Sequence, residues 1–177
     1  MMAAPQLNAN QFAMTRNVGD LDLTSNPSPS VLTCRINPSS SDTDGFTGGQ
    51  AVKLIDLAGS DVAGGGLPYV DTLAAITEQA LGVVINQTRF GKVPDGYPVQ
   101  VAGEGSVVWM LSTAAINRGV AVVANLADAA HIGYVITATG KTGKVLGITM
   151  DKASGADQLI RVKIIANGSA FAGSVSS

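Results

Sequence analysis

Cysteine is nearly absent from this chain of 177 residues: Cys34 stands alone, so no intramolecular disulfide framework can brace the fold, and the residue reads as a small buried hydrophobe. Histidine is equally scarce. His131 is the only one, which excludes metal sites built on two imidazoles and makes any Ser-His-Asp relay depend on that single residue. Charge is thin as well, at 14% Asp, Glu, Lys and Arg against roughly 25% in ordinary soluble domains. The net charge of −2 and the pI near 5.2 come without clustered Lys and Arg, so nucleic acid is not expected as a partner, because a phosphate backbone needs a basic footprint. Long apolar runs are missing too. Nothing reaches the roughly 18 apolar residues of a membrane span. The start, MMAAPQLNANQFAMTRNVGD, has no basic segment followed by an apolar one. Neither a secretory signal nor contact with a membrane is expected.

What the chain does have is glycine, 21 residues of it, in a composition that is 46% hydrophobic. Together with many Val, Ile and Thr, this favours short strands joined by tight turns over long helices. A body of this size can bury roughly two thirds of the surface its unfolded chain exposes. A surface so poor in solvating charge is expected to be covered by a partner or by sister copies.

The organisation changes along the chain. Residues 1–48 are polar and small, and their apolar residues Phe12, Met14, Val18, Leu21 and Leu23 are too sparse to close a core. This is the composition of an extended arm, which orders only against something else. Within it, Val31 to Ile36 alternates in the β manner between SNPSP and NPSSSDTDG, and is read as a strand joining the body. Residues 49–166 carry short apolar runs bounded by Gly, Pro, Asn or Asp: Ala51 to Leu57, Leu67 to Val70, Leu81 to Asn86, Tyr97 to Ala102, Ser106 to Leu111, Val120 to Ala124, His131 to Ala138, Lys144 to Met150 and Leu159 to Ala166. A helix is expected only over Asp71–Ala80, with Asp71 as its N-cap. Residues 167–177 form a small polar tail. Gly119 is placed in a turn that needs positive φ, and Gly147 inside a strand where another backbone comes close. So many short strands must close, since an open sheet would leave edges free to pair. The expected fold is all-β: a small β-barrel or β-sandwich-like body with an extended N-terminal arm and at most one short helix.

Each apparent catalytic motif fails for a nameable reason. Gly140-Lys141-Thr142 looks like the end of a phosphate-binding loop, but the glycine required five positions earlier is Val135, so the nest of amides cannot form. Lys141-Thr142-Gly143 matches one element of penicillin-recognising enzymes without the serine and lysine that do the chemistry. His131 reads as a strand-end histidine. Asp42-Thr43-Asp44-Gly45 opens like a calcium loop that no glutamate closes. The sequons at Asn86 and Asn167 carry no meaning without a secretory route. No catalytic, cofactor or metal residues are assigned. Val107, Trp109 and Leu111 share one strand face, as core or interface residues would. Interface contacts, with a partner or between copies, are therefore sought at Phe12, Met14, Val18, Leu21, Leu23, Val31 and Trp109.

The order of segments carries a resemblance. Gly48-Gly49-Gln50-Ala51-Val52-Lys53 enters the first body strand, and Leu81-Gly82-Val83-Val84 returns. Val101 through Trp109 and the turn Ala115-Ile116-Asn117-Arg118-Gly119 follow. Lys144 to Asp151 and Leu159 to Ile164 close the body. From Ser30 to Ala166 this resembles the decoration (cement) proteins of tailed-phage capsids, a small β-rich family that includes uncharacterised prophage head proteins. The resemblance implies a virion protein, made in the host cytoplasm, that adds to the outside of an assembled icosahedral head and clamps neighbouring copies of the major capsid protein. It also implies association with its own kind, as a trimer at a local threefold axis or as a dimer. The rival expectation is a head-fibre or host-surface module that binds glycans through Trp109, Tyr97 and Phe90.

Overall fold

The structure is a computed structural model, and it describes residues 16–39, 45–56, 66–85, 92–127, 132–141 and 143–165. Among them the chain forms ten strands: β1 (Val31–Ile36), β2 (Ala51–Ile55), β3 (Tyr69–Thr72), β4 (Gly82–Val84), β5 (Pro98–Ala102), β6 (Val107–Ser112), β7 (Ala121–Ala124), β8 (Tyr134–Thr137), β9 (Gly147–Thr149) and β10 (Leu159–Ile164). The all-β expectation holds, and closure occurs twice. The first five strands make one closed barrel in the order β1-β3-β2-β4-β5, and the last five make another in the order β6-β8-β7-β9-β10.

The two barrels repeat one plan. In each, the first strand runs parallel to the third and antiparallel to the fifth, and the second is antiparallel to both the third and the fourth. The registers match residue by residue. Arg35 lies beside Tyr69 as Leu111 lies beside Tyr134; Val52 pairs with Thr72 and Gly82 as Val122 pairs with Thr137 and Gly147. Outside the strands, the isolated bridge Phe46↔Val93 reappears as Ile116↔Ala153. The turn before β5 uses Gly96 at φ +75°, and its counterpart before β10 is Asp157 at φ +58°, a described non-glycine residue in the left-handed region. Asparagine and aspartate tolerate that region better than most side chains.

The interiors show what the duplication holds fixed. The first barrel is filled by Cys34, Ile36, Phe46, Val52, Val70, Val84, Val93, Val99 and Val101. Their counterparts in the second are Met110, Ser112, Ile116, Val122, Val135, Thr149, Ala153, Ile160 and Val162, and every one is buried. Two of these are hydroxyls, and a buried hydroxyl needs partners. Ser112 Oγ donates to the carbonyl of Gly155 at 2.9 Å, and Thr149 Oγ1 donates to that of Asn117 at 2.8 Å. Burial also pushes the Cys34 thiol up to about 11, as expected of an inert core residue.

The barrels share a core where they meet. Ala51, Val83 and Ala102, on the outer wall of the first barrel, belong to one apolar cluster with Val108, Leu146 and Ile164 of the second. The expected helix over Asp71–Ala80 does not form. β3 continues through Thr72 and the remainder is a string of turns. Tertiary packing overrides the local pattern: Ile76 packs over Val123, Ala138 and Val145, and its carbonyl accepts from Lys144 N at 2.7 Å. Asp71, the expected N-cap, accepts instead from Asn37 Nδ2 at 2.8 Å. The strand expected over Val31 to Ile36 joins the body as β1, between β3 and β5, and Phe46 is fully buried in the first barrel.

Gly82 and Gly147 are where the closures are tightest. A Cβ on Gly82 would collide with the carbonyl oxygen of Ala102, and one on Gly147 with that of the matching Lys163. The close backbone approach expected at Gly147 is therefore present, and in duplicate. Gly119 has its expected positive φ, +78°, but faces open space. We expect Gly82→Ala and Gly147→Ala each to destabilise the fold by about 3 kcal/mol through overpacking. Gly119→Ala should cost only about 1–2 kcal/mol of backbone strain. Denaturant titrations of the three variants check the ranking.

Candidate functional site: the arm on the second barrel

Strands that close into a barrel leave no edge, except where neighbours differ in length. Such a gap occurs along β6, which meets β8 only at Leu111 and Ser112. The arm fills the rest. Gly19 N donates to Trp109 O at 2.8 Å, Trp109 N to Asp20 O at 2.9 Å, and Asp22 N to Val107 O at 2.9 Å. This places Leu21 opposite Val108 in an antiparallel bridge, with its side chain against the shared core. Glycine is required at the entry, because a Cβ on Gly19 would run into the backbone of Gly48 and Gly49. Farther on, Asn26 Nδ2 donates to Gly105 O at 2.8 Å.

Side chains lock the backbone pairing. Arg161, on β10, holds Asp151 through two bonds, Nε to Oδ2 at 2.9 Å and Nη2 to Oδ1 at 2.6 Å. Its Nη1 reaches the arm, donating to Ser25 Oγ at 2.7 Å and Asp22 Oδ2 at 3.2 Å. The Asp22 side chain is only 2% exposed. Burial alone would raise its pKa, but hydrogen bonds from Ser25, Arg161 and the Thr24 amide outweigh burial and hold it below the ordinary carboxylate value. The Arg161 hydrogen bonds depress Asp151 likewise, and the two carboxylates raise Arg161 in return. Trp109 completes the lock, with the Arg16 guanidinium 4.5 Å and that of Arg161 5.8 Å from its ring centroid, both within cation–π range.

The residues singled out from the sequence distribute unevenly. Val18, Leu21 and Trp109 come together in this arm contact within one chain, with Val18 against Gly49 and Gly133. Leu23 and Val31 are exposed, at 57% and 39%. Phe12 and Met14 lie outside the described residues, as do His131 and Phe90. The face of Val107, Trp109 and Leu111 turns out to be the outer face of β6, whereas Val108, Met110 and Ser112 point inward. Asp22, Ser25, Asp151 and Arg161 were not singled out. The only hint was an arginine at a strand position with an aspartate ten residues before it, and their meeting with the arm depends on contacts spanning nearly the whole chain.

Among the described residues no cluster of three or more His, Cys, Asp or Glu could hold a metal ion, and no helix is long and apolar enough to cross a membrane. The arrangement is one of contact surfaces: closed barrels with a strand laid on one of them.

The fold thus defines a class, all-β chains of two tandem closed five-stranded barrels. No family model matches the chain, and no curated protein does. Among solved structures it is similar to the base of the head fibre gp8.5 N of bacteriophage phi29, with 15% identity, a TM-score of 0.44, and coverage of 76% of this chain and 92% of that one. A TM-score below 0.5 is too low to carry fold or role from one chain to the other.

Two outcomes are expected of the lock. The folded pKa values of Asp22 and Asp151 are lowered, so their contribution is fully present above the unfolded carboxylate value, about 4, and is lost as pH falls through the folded values. Stability should therefore decline below about pH 4 in the wild type, and decline less in Asp22→Asn, as followed by melting temperature against pH. At neutral pH Arg161→Ala leaves Asp22 buried without its cation, and should cost about 2 kcal/mol and speed hydrogen exchange at the Trp109 amide.

Proposed function

We propose that this chain is a non-catalytic structural protein, a decoration protein that binds the outside of a phage head and braces neighbouring copies of the major capsid protein. The observation that carries the reading is the placement of apolar surface. Leu23, Val31, Leu32, Leu54 and Tyr97, the exposed large hydrophobics among the described residues, lie on the arm and the first barrel, and none lies on the strands of the second. Apolar side chains of this size left in water on that half of the chain are what a contact with a partner would bury. The segment order from Ser30 to Ala166 that resembles decoration proteins supplies the setting, and the rigid double barrel suits a block set between shell subunits.

The glycan-binding alternative has less support. Its central aromatic, Trp109, is engaged by two guanidinium groups of its own chain, and an aromatic platform for a sugar needs an open face.

The test is co-sedimentation of the purified protein with undecorated heads in immature and expanded states. Saturable binding to expanded heads is expected, with affinity at least tenfold weaker for Leu54→Glu. Absence of binding in every head state would sink the reading. A glycan-array signal lost in Trp109→Ala with the fold intact would favour the alternative.

A further inference from the structure

The duplication shows what the first barrel lacks. Hydrogen bonds at the two ends of the β1–β5 ladder, Gly103 N to Ser30 O and Ile36 N to Tyr97 O, set its phase. Even-numbered residues of β1 turn their amide and carbonyl toward β5, and Val31, Thr33 and Arg35 turn theirs away. Arg35 N donates to Pro68 O, next to its β3 partner Tyr69. For Val31 and Thr33 no backbone partner on that side is found among the described residues. Their counterparts on β6, Val107 and Trp109, are the residues that the arm pairs with.

Among the described residues nothing protects this edge. Exposed edges are ordinarily blunted by lysine, proline or a bulge. Val31, Leu32 and Thr33 offer none of these, and Val31 and Leu32 are 39% and 42% exposed. Leu54, on β2 and level with Ile36 through Val70 of β3, is 54% exposed but lies away from this edge. An arm of this sequence is fastened to the second barrel and not to this edge, because Thr33 stands where Trp109 does and Gln100 where Arg161 does.

We propose that the Val31–Thr33 edge pairs antiparallel with the same edge of a second copy, forming a twofold dimer. The edge is self-complementary. With Leu32 on the axis, Thr33 N–H of one copy faces the Val31 carbonyl of the other, Val31 N–H faces the Thr33 carbonyl, and both bonds recur by symmetry. Leu32 then meets Leu32 across a non-hydrogen-bonded pair, where side chains come closest. An isologous contact of this kind closes on itself. The matching edge of the second barrel is already taken by the arm, so assembly through these edges stops at two copies.

Sedimentation equilibrium of the full chain tests the inference independently of the capsid reading. The wild type should be a dimer. Leu32→Lys, at an exposed position where the barrel tolerates it, should raise the dissociation constant at least tenfold with an unchanged circular dichroism spectrum. Leu32→Cys should give a covalent dimer on mild oxidation, since Cα atoms in such a pair sit about 4.5 Å apart, within disulfide reach. Tyr97→Cys, exposed but off the edge, should not. A monomer at all concentrations, a trimer, or a dimer indifferent to Leu32→Lys would overturn the proposal. So would a monomer whose Thr33 amide is protected from exchange, since the edge would then be filled within one chain.

Discussion

A sheet of only five strands closes with a small radius, and the whole molecule answers to that constraint. The fourth strand must pass so near the fifth that a single methyl group does not fit, which is why glycine stands at the same register position in each barrel, Gly82 and Gly147. Tight curvature limits the interior to side chains of modest size, and both barrels are filled chiefly by Val, Ile and smaller residues. It also keeps strands short. Short strands leave the first one longer than its parallel neighbour, and the surplus length of β1 and β6 is where the molecule makes or invites its outside contacts.

Within that limit the two interiors have diverged by exchange of volume and polarity. Phe46 and Val93 on one bridge become the smaller Ile116 and Ala153, while Cys34 and Val99 become the larger Met110 and Ile160. Losing volume at one level and gaining it at another keeps packing density up, as cores require. Ile36 and Val84 become Ser112 and Thr149, changes that would be costly in a dry core without partners. Here each hydroxyl finds a carbonyl in an adjoining turn, so it doubles as a clamp on the loop beside it.

Much of the strand pattern was legible in the sequence. Every strand falls within or overlaps an alternating segment bounded by turn residues, because the period-two pattern and the flanking Gly, Pro and Asn are local signals. The helix over Asp71–Ala80 failed because the fate of Ile76 is decided by Val123, Ala138 and Val145, far along the chain. The duplication was visible in principle. Gly49-Gln50-Ala51-Val52 echoes Gly119-Val120-Ala121-Val122, Tyr69-Val70-Asp71-Thr72 echoes Tyr134-Val135-Ile136-Thr137, and Leu81-Gly82-Val83 echoes Leu146-Gly147-Ile148. Loops of unequal length separate these echoes, so no fixed period exposes them. The arm lock was not legible, because nothing local couples Asp22 to Arg161.

Repetition with divergence also separates what the fold needs from what its contacts need. Positions that face inward keep their apolar character or gain an internal partner. The outward pair Thr33 and Gln100 has instead become Trp109 and Arg161 in the second barrel, and there the arm rests. A tryptophan and an arginine at those two places convert a bare strand edge into one that recognises a particular segment, through Arg16, Asp22 and three backbone bonds. The backbone pairing supplies an edge on both barrels alike, and the side chains beside it decide what each edge accepts. That division fits a molecule whose chemistry is association, since changing two surface residues can redirect a contact while the barrel beneath stays the same.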